Sequence, residues 1–180
     1  MGYDWIQRVV VFTFIFSMGL AGWGVDTARA QGGNPVVTIE MDKGNIIFEM
    51  YPDVAPKTVA RITELVKQGF YNGLTFHRVE PGFVIQGGDP KGNDPKLAGT
   101  GGSGVNLKAE FNKKPHLLGT VAMARAQDPD SADSQFYICL GPQSFLDGKY
   151  TVFGQVTDPS SLEVIQKVGR GDVMKKVTVK

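Results

Sequence analysis

The chain predicts a mainly β fold, an eight-stranded antiparallel β-barrel closed on itself and capped by two α-helices. Three observations lead there. Short runs rich in β-branched and aromatic residues recur from Val36 to the end, separated by Gly, Pro and Asp clusters. Only two stretches place apolar residues at helical spacing. Residues 31–180 suffice for one hydrophobic core but not two. Many short strands bury one face most economically by curling into a barrel whose ends the helices cover.

Taken in order, Val36–Met41 and Ile46–Met50 read as strands joined through Asp42-Lys43-Gly44-Asn45, a hairpin with a glycine in its turn. Pro56 suits a first helical position. Val59, Ile62, Leu65 and Val66 then form an apolar stripe that ends at Gly69, a C′ residue. Short apolar runs follow at Leu74–Val79, Phe83–Gln86, Val121–Arg125, Phe136–Leu140 and Thr151–Val156. A second helix is expected over Ser160–Val168, with Leu162, Ile165 and Val168 inward and Gly169 as its stop, and Val177–Val179 supplies a last strand. Residues 87–104 hold seven glycines, too many for the interior of an element. That stretch reads as a loop lying close against a ligand or another backbone.

The first 30 residues are an appendage. Met1–Arg8 is short and polar, Val9–Val25 is an apolar run, and Ala28-Arg29-Ala30 is a small-x-small site, the pattern of a secretory signal peptide cleaved after Ala30. Asp4 offsets Arg8, so an uncleaved membrane anchor is the competing reading; the run is short for a bilayer span and contains three glycines from Gly19 to Gly24. After cleavage no stable membrane insertion is expected. The compartment would be a periplasm or another extracytoplasmic space, a thylakoid lumen included.

Charge and cysteine use exclude several classes. Removing the first 30 residues takes two of the 19 basic and two of the 18 acidic residues, leaving the net charge at +1. Near-neutral balance without a basic stripe argues against a nucleic-acid partner. Cys139 is the only cysteine, so an intramolecular disulfide is excluded and a small buried residue is expected. His77 and His116 lack metal-ligand spacing, and no metal or cofactor is expected. Gly99, Gly101 and Gly104 match G-x-G-x-x-G by chance, with no strand before and no helix after. Ser131 and Ser134 lack the elbow and histidine of a hydrolase. A monomer is expected.

The informative segment is Phe76–Asp89, FHRVEPGFVIQGGD. It places an arginine in an apolar strand, then a Pro-Gly corner, an aromatic, a glutamine and paired glycines. On alternating strands Arg78, Phe83 and Gln86 are not casual surface residues. His77 points opposite to Arg78 and is read as a hydrogen-bonded structural histidine.

Residues 71–88, YNGLTFHRVEPGFVIQGG, closely resemble the signature of cyclophilin-type peptidyl-prolyl isomerases. GTGG at 99–102, MAR at 123–125, SQFYI at 134–138 and FLDGKYTVFGQV at 145–156 follow in the family's order, so the resemblance covers essentially all of Val36–Val179. It implies the same barrel with two helices, and an outer groove that binds extended proline-containing polypeptides and speeds rotation about the X-Pro bond. Arg78 matches the catalytic arginine, Phe83 the aromatic floor of the proline pocket, and Gln86 the glutamine that orients the arginine. Val84, Met123, Tyr137 and Leu146 would be further apolar wall, and Gln135 would sit on the facing wall. Ala124 and Arg125 would pair with the peptide main chain, while Gly99 and Thr100 would edge a neighbouring pocket. Alternation sends Phe136 inward and turns Gln135 and Tyr137 to the groove.

Four positions depart from the pattern. Phe145 stands where many members have tryptophan, losing an indole donor that would help bind cyclosporin. Tyr150 replaces a common groove histidine and Arg125 a common asparagine. Glu80 replaces an aliphatic residue and is expected to face solvent with little effect. These departures leave two competing readings: a proline-peptide binding module or holdase without turnover, and a structural subunit of an envelope assembly tethered by its N-terminal run.

Overall fold

The computed structural model describes residues 33–180; the apolar run and the cleavage site lie outside the described residues. No helix among the described residues is long and apolar enough to cross a membrane.

Alternation builds the first hairpin. In β1 (Val36–Met41) the side chains of Val37, Ile39 and Met41 are buried, and in β2 (Gly44–Met50) so are Ile46, Phe48 and Met50. The ladder runs to a Met41↔Gly44 pair, so the turn is only Asp42-Lys43 and β2 starts earlier than its apolar run. Gly44 makes this tightness feasible: its φ is +119°, and a Cβ there would meet the Val164 side chain at 2.8 Å.

Helix α1 (Pro56–Lys67) begins with proline in its first turn and buries Val59, Ile62, Leu65 and Val66. Gly69 follows with φ +71°, its N–H donating to the Val66 carbonyl while Phe70 N–H reaches the Leu65 carbonyl. This is a Schellman closure, as its position predicts. The expected strand over Leu74–Val79 is shorter: β3 covers Arg78–Glu80, and Thr75 makes only an isolated bridge to Val173. β4 (Val84–Gly87), β5 (Thr120–Met123), β6 (Phe136–Cys139) and β7 (Val152–Gln155) follow, then α2 (Pro159–Lys167) and β8 (Lys176–Val179). Asp158 caps α2 through the Ser161 N–H. Gly169 is not a left-handed stop: the helix ends because Val168 turns extended, with φ −62° and ψ 129°, and Gly169 N–H donates to Asp172.

All strand pairs are antiparallel and give the order β3-β4-β6-β5-β7-β2-β1-β8. The result is a curled half-barrel with two helices. The ladder closing the expected barrel is not seen: β3 and β8 are the two ends of the strand order and no ladder pairs them. The segments preceding those strands meet instead, through the Thr75–Val173 bridge and neighbouring backbone bonds.

The sheet's concave face holds the main core, including Ile39, Ile46, Phe48, Phe76, Ile85, Val121, Met123, Ile138 and Phe153. A second, smaller core lies on the opposite face of β4, β6, β5 and β7: Val84, Ala122, Tyr137, Cys139, Leu146 and Val152. With apolar residues on both faces, these strands are buried except at the half-buried Gln86 and Gln155, and the outer cluster becomes the floor of a groove.

Candidate functional site

The Pro-Gly corner aims the site. Phe83 N–H donates to the Glu80 carbonyl at 2.9 Å across Pro81-Gly82, and Gly82 has φ +72°, the geometry of a type II turn. The turn sets Arg78 directly opposite Gln86 in the β3–β4 register. An Arg78 terminal nitrogen donates to Gln86 Oε1 at 3.3 Å, and the guanidinium carbon lies 5.6 Å from the centre of the Phe83 ring. The support continues: Gln86 Nε2 donates to Gln135 Oε1 at 2.9 Å, and Gln135 Nε2 donates to the Gly101 carbonyl at 2.8 Å. The arginine is thus braced, through two glutamines, against the glycine-rich loop.

That loop is largely exposed, but it is pinned to the protein through two buried or half-buried carboxylates. Asp89 accepts from the N–H groups of Lys91 and Gly99, and Asp133 from those of Ser103 and Gly104 and from the Ser103 hydroxyl. A Cβ on Gly101 or Gly102 would collide with these two carboxylates.

Beside Arg78 lies a hollow of ≈ 110 Å³ lined by Phe83, Val84, Gln86, Ala124, Arg125, Tyr137, Leu146 and Tyr150. Phe145, 59% exposed, is not in its lining but forms the rim, stacked on Phe83 with ring centres 5.8 Å apart. An adjoining polar pocket of ≈ 390 Å³ shares Gln86, Ala124, Arg125 and Gln135 and includes Gly99 and Thr100. Met123 is the exception among the residues expected here. It is 1% exposed and belongs to the main core, paired with Phe136, while its neighbours Ala122 and Ala124 face the groove.

Arg125 is occupied by its own chain. Its guanidinium donates to the carbonyls of Ala126, Gln127 and Lys149 and lies 4.7 Å from the Tyr150 ring centre, forming a fixed partition between the two pockets. Glu80 does face solvent, yet its carboxylate also stands 3.5 Å from Arg78 Nε. His77 is buried, but the expected hydrogen bonds are missing: neither ring nitrogen has a partner. Burial lowers its pKa, a shift that nearby Asp89 opposes and Arg170 and Arg78 reinforce. Cys139, under the hollow, has its thiol pushed up to about 12 by burial, so it is no nucleophile.

Sequence reasoning missed Gly101, which anchors Gln135 through a carbonyl and so has no side-chain signal. It also missed His116 and Asp147, which stand behind Tyr137. A cation fixed beside an apolar hollow the size of a small ring, at the edge of a longer groove, is suited to gripping a proline and stabilising charge at its nitrogen.

Comparison with known proteins agrees. The family described as "Cyclophilin type peptidyl-prolyl cis-trans isomerase/CLD" matches residues 36–180. A Brucella suis protein named probable peptidyl-prolyl cis-trans isomerase is 44% identical over 163 residues, 87% of this chain and 82% of its own length. Peptidyl-prolyl cis-trans isomerase B of Bacillus subtilis is 49% identical over 140 residues, 77% and 92% of the two chains. A Cryptosporidium parvum cyclophilin crystallised in the presence of the dipeptide Ala-Pro superposes with a TM-score of 0.72 at 27% identity, covering 81% of this chain and 98% of that one. The braced arginine, the apolar hollow and these likenesses converge: the chain belongs to the cyclophilin-type peptidyl-prolyl cis-trans isomerase family.

Proposed function

We infer that this protein accelerates cis/trans rotation about X-Pro bonds in extended polypeptides, and that it does so outside the cytoplasm on exported chains. Such rotation is slow because the nitrogen lone pair is delocalised into the carbonyl, with a barrier of roughly 18–20 kcal/mol. Twisting the bond localises that lone pair on the proline nitrogen. A donor aimed at it binds the twisted state more strongly than the planar one, which is what lowers a barrier.

Arg78 at the lip of the hollow carries this reading. Guanidinium stays charged and holds its donors in a planar fork, and Gln86 restrains it from one side. Its side chain is 45% exposed, so the peptide itself must complete its desolvation. The apolar lining from Phe83, Tyr137 and Leu146 suits a proline ring, and a dipeptide ending in proline accompanies the similar Cryptosporidium protein. A thousandfold acceleration requires about 4 kcal/mol of differential stabilisation, within reach of one desolvated charged hydrogen bond.

The test is proline isomerisation in a reporter peptide by residues 31–180. Arg78→Ala is expected to lose about 10²–10³ of the rate; equal rates for the two proteins would reject the mechanism. Binding of X-Pro peptides with no acceleration by either would select a binding module instead. Export rests on the N-terminal pattern. N-terminal sequencing of protein recovered from the extracytoplasmic fraction should begin at Gln31, and a start at Met1 would leave the chain tethered.

A further inference from the structure

His116 stands behind the hollow, its side chain wholly enclosed. Both ring nitrogens have partners: Nδ1 is 2.9 Å from Asp147 Oδ1 and Nε2 is 2.9 Å from Tyr137 Oη. The backbone N–H of His116, followed by its ring, holds the Asp147 carboxyl below the usual carboxylate range, leaving it only an acceptor. Nδ1–H therefore donates to Asp147, and Nε2 shares a hydrogen bond with the Tyr137 hydroxyl, which burial keeps protonated. The His116 and Tyr137 rings stack at 6.0 Å and 16°, and Tyr150 closes edge-on against both.

This network joins two walls of the hollow that come from separate parts of the chain. Tyr137 stands on β6. Asp147 ends the 3₁₀ turn Ser144–Leu146, which carries the Phe145 rim and the Leu146 wall. His116 grips that turn at both ends, its N–H donating to Asp147 and its carbonyl accepting from Gln143 N–H.

We propose that His116 is a positioning residue of this isomerase, setting the spacing between the Tyr137 ring and the Phe145–Leu146 turn, and so the fit of the proline ring, without touching the peptide. This rests on the isomerase reading above. A proline ring is small and rigid, and a wall displaced by under 1 Å forfeits a quarter to a half of its dispersion contact. The loss falls on ground state and transition state alike, because Arg78 is braced through a separate network. It therefore appears in KM rather than kcat.

The experiment uses the full chain. ¹⁵N spectra of the imidazoles should show His116 protonated at Nδ1, the nitrogen that faces Asp147. His116→Phe keeps a stacked ring but strands the Tyr137 hydroxyl; KM for an X-Pro peptide should rise about tenfold with kcat within about twofold. Adding Tyr137→Phe removes the stranded hydroxyl without restoring the ring's link to Asp147, so KM should stay raised. Ile165→Val, in the main core, serves as a mildly destabilised control and should leave KM unchanged. A His116 bare at Nδ1, an unchanged KM in folded His116→Phe, or a KM back at the parent value in the double variant would overturn the proposal. Peptide affinity is also read by titration, so a parent that binds without turnover would sink the isomerase reading while the tautomer and affinity still decide this one.

Discussion

At the scale of single residues, two side chains flanking Arg78 and Val79 carry consequences their sequence positions do not announce. His77 is buried with no partner for either nitrogen, and burial, against the opposing field of Asp89, lowers its pKa in the folded protein. Unfolded, it titrates near 6.5. Between those values the unfolded chain binds a proton that the folded one does not, so stability is full above about pH 6.5 and falls as pH drops from there toward the folded value. The slope is at most about 1.4 kcal/mol per pH unit. Denaturant melts from pH 7 to 5 should be steeper for the parent than for His77→Leu; parallel curves would mean His77 protonates freely in the native state. Glu80 acts on turnover instead. Its contact with Arg78 is long and both groups are about half exposed, so the pair is worth about 0–1 kcal/mol. On the proposed mechanism this contact competes with the proline nitrogen for the guanidinium. Glu80→Val should raise kcat/KM by up to about fivefold, whereas a tenfold fall would show that Glu80 holds Arg78 in place. Arg78, Phe83 and Gln86 were legible in the sequence because the Pro-Gly turn fixes their register. Met123 was misplaced because all four residues of β5 are buried, so neither parity of the strand is marked by an exposed side chain.

At the scale of elements, α1 shows what a linear reading recovers and what it misses. Its stripe, its leading proline and its glycine closure were visible, since each depends on residues within a turn or two. Its N-terminal cap was not. Ala55 offers no side-chain acceptor, and the first-turn donors are met by Glu110, from a loop 52 residues beyond Thr58: Lys57 N–H at 3.0 Å, and Thr58 N–H and hydroxyl at 2.8 Å each. The carboxylate also opposes the positive end of the helix dipole. Glu110 N–H in turn donates to the Thr151 hydroxyl beside β7, so the cap ties the helix to the sheet and to the loop. Glu110→Ala should cost about 0.5–2 kcal/mol, read as a lower urea midpoint at unchanged m, with Arg78-dependent turnover intact. An unchanged midpoint would mean that water replaces the carboxylate at no cost.

At the scale of the whole molecule, the strand count and helix positions were recoverable because burying one face imposes a period, but closure has no such signal. Closure is decided where two segments distant in sequence meet, and there an isolated Thr75–Val173 bridge stands in place of a ladder between β3 and β8. The seam is held by Gly73 N–H to the Met174 carbonyl, Met174 N–H to Leu74, Phe76 N–H to Asp172 and Gly171 N–H to Phe76. One side of it is well anchored, since Phe76 and Met174 are fully buried in the main core. The other side is not: the Thr75 hydroxyl and both His77 nitrogens are enclosed without partners, and Val173 is 41% exposed. Letting water reach those orphaned groups offsets part of the cost of opening, which selects the seam as the first part of the sheet to yield. Native-state hydrogen exchange should therefore show the Phe76 and Gly171 amides at least about tenfold less protected than those of Met123, at the end of β5, and Leu140, just past β6, in the sheet's central strands. Arg78 directly follows His77, so a peptide seated against the guanidinium should slow exchange at the seam more than at the centre. If all four amides exchange only with global unfolding, the half-barrel is one cooperative unit and the irregular closure is as strong as a ladder.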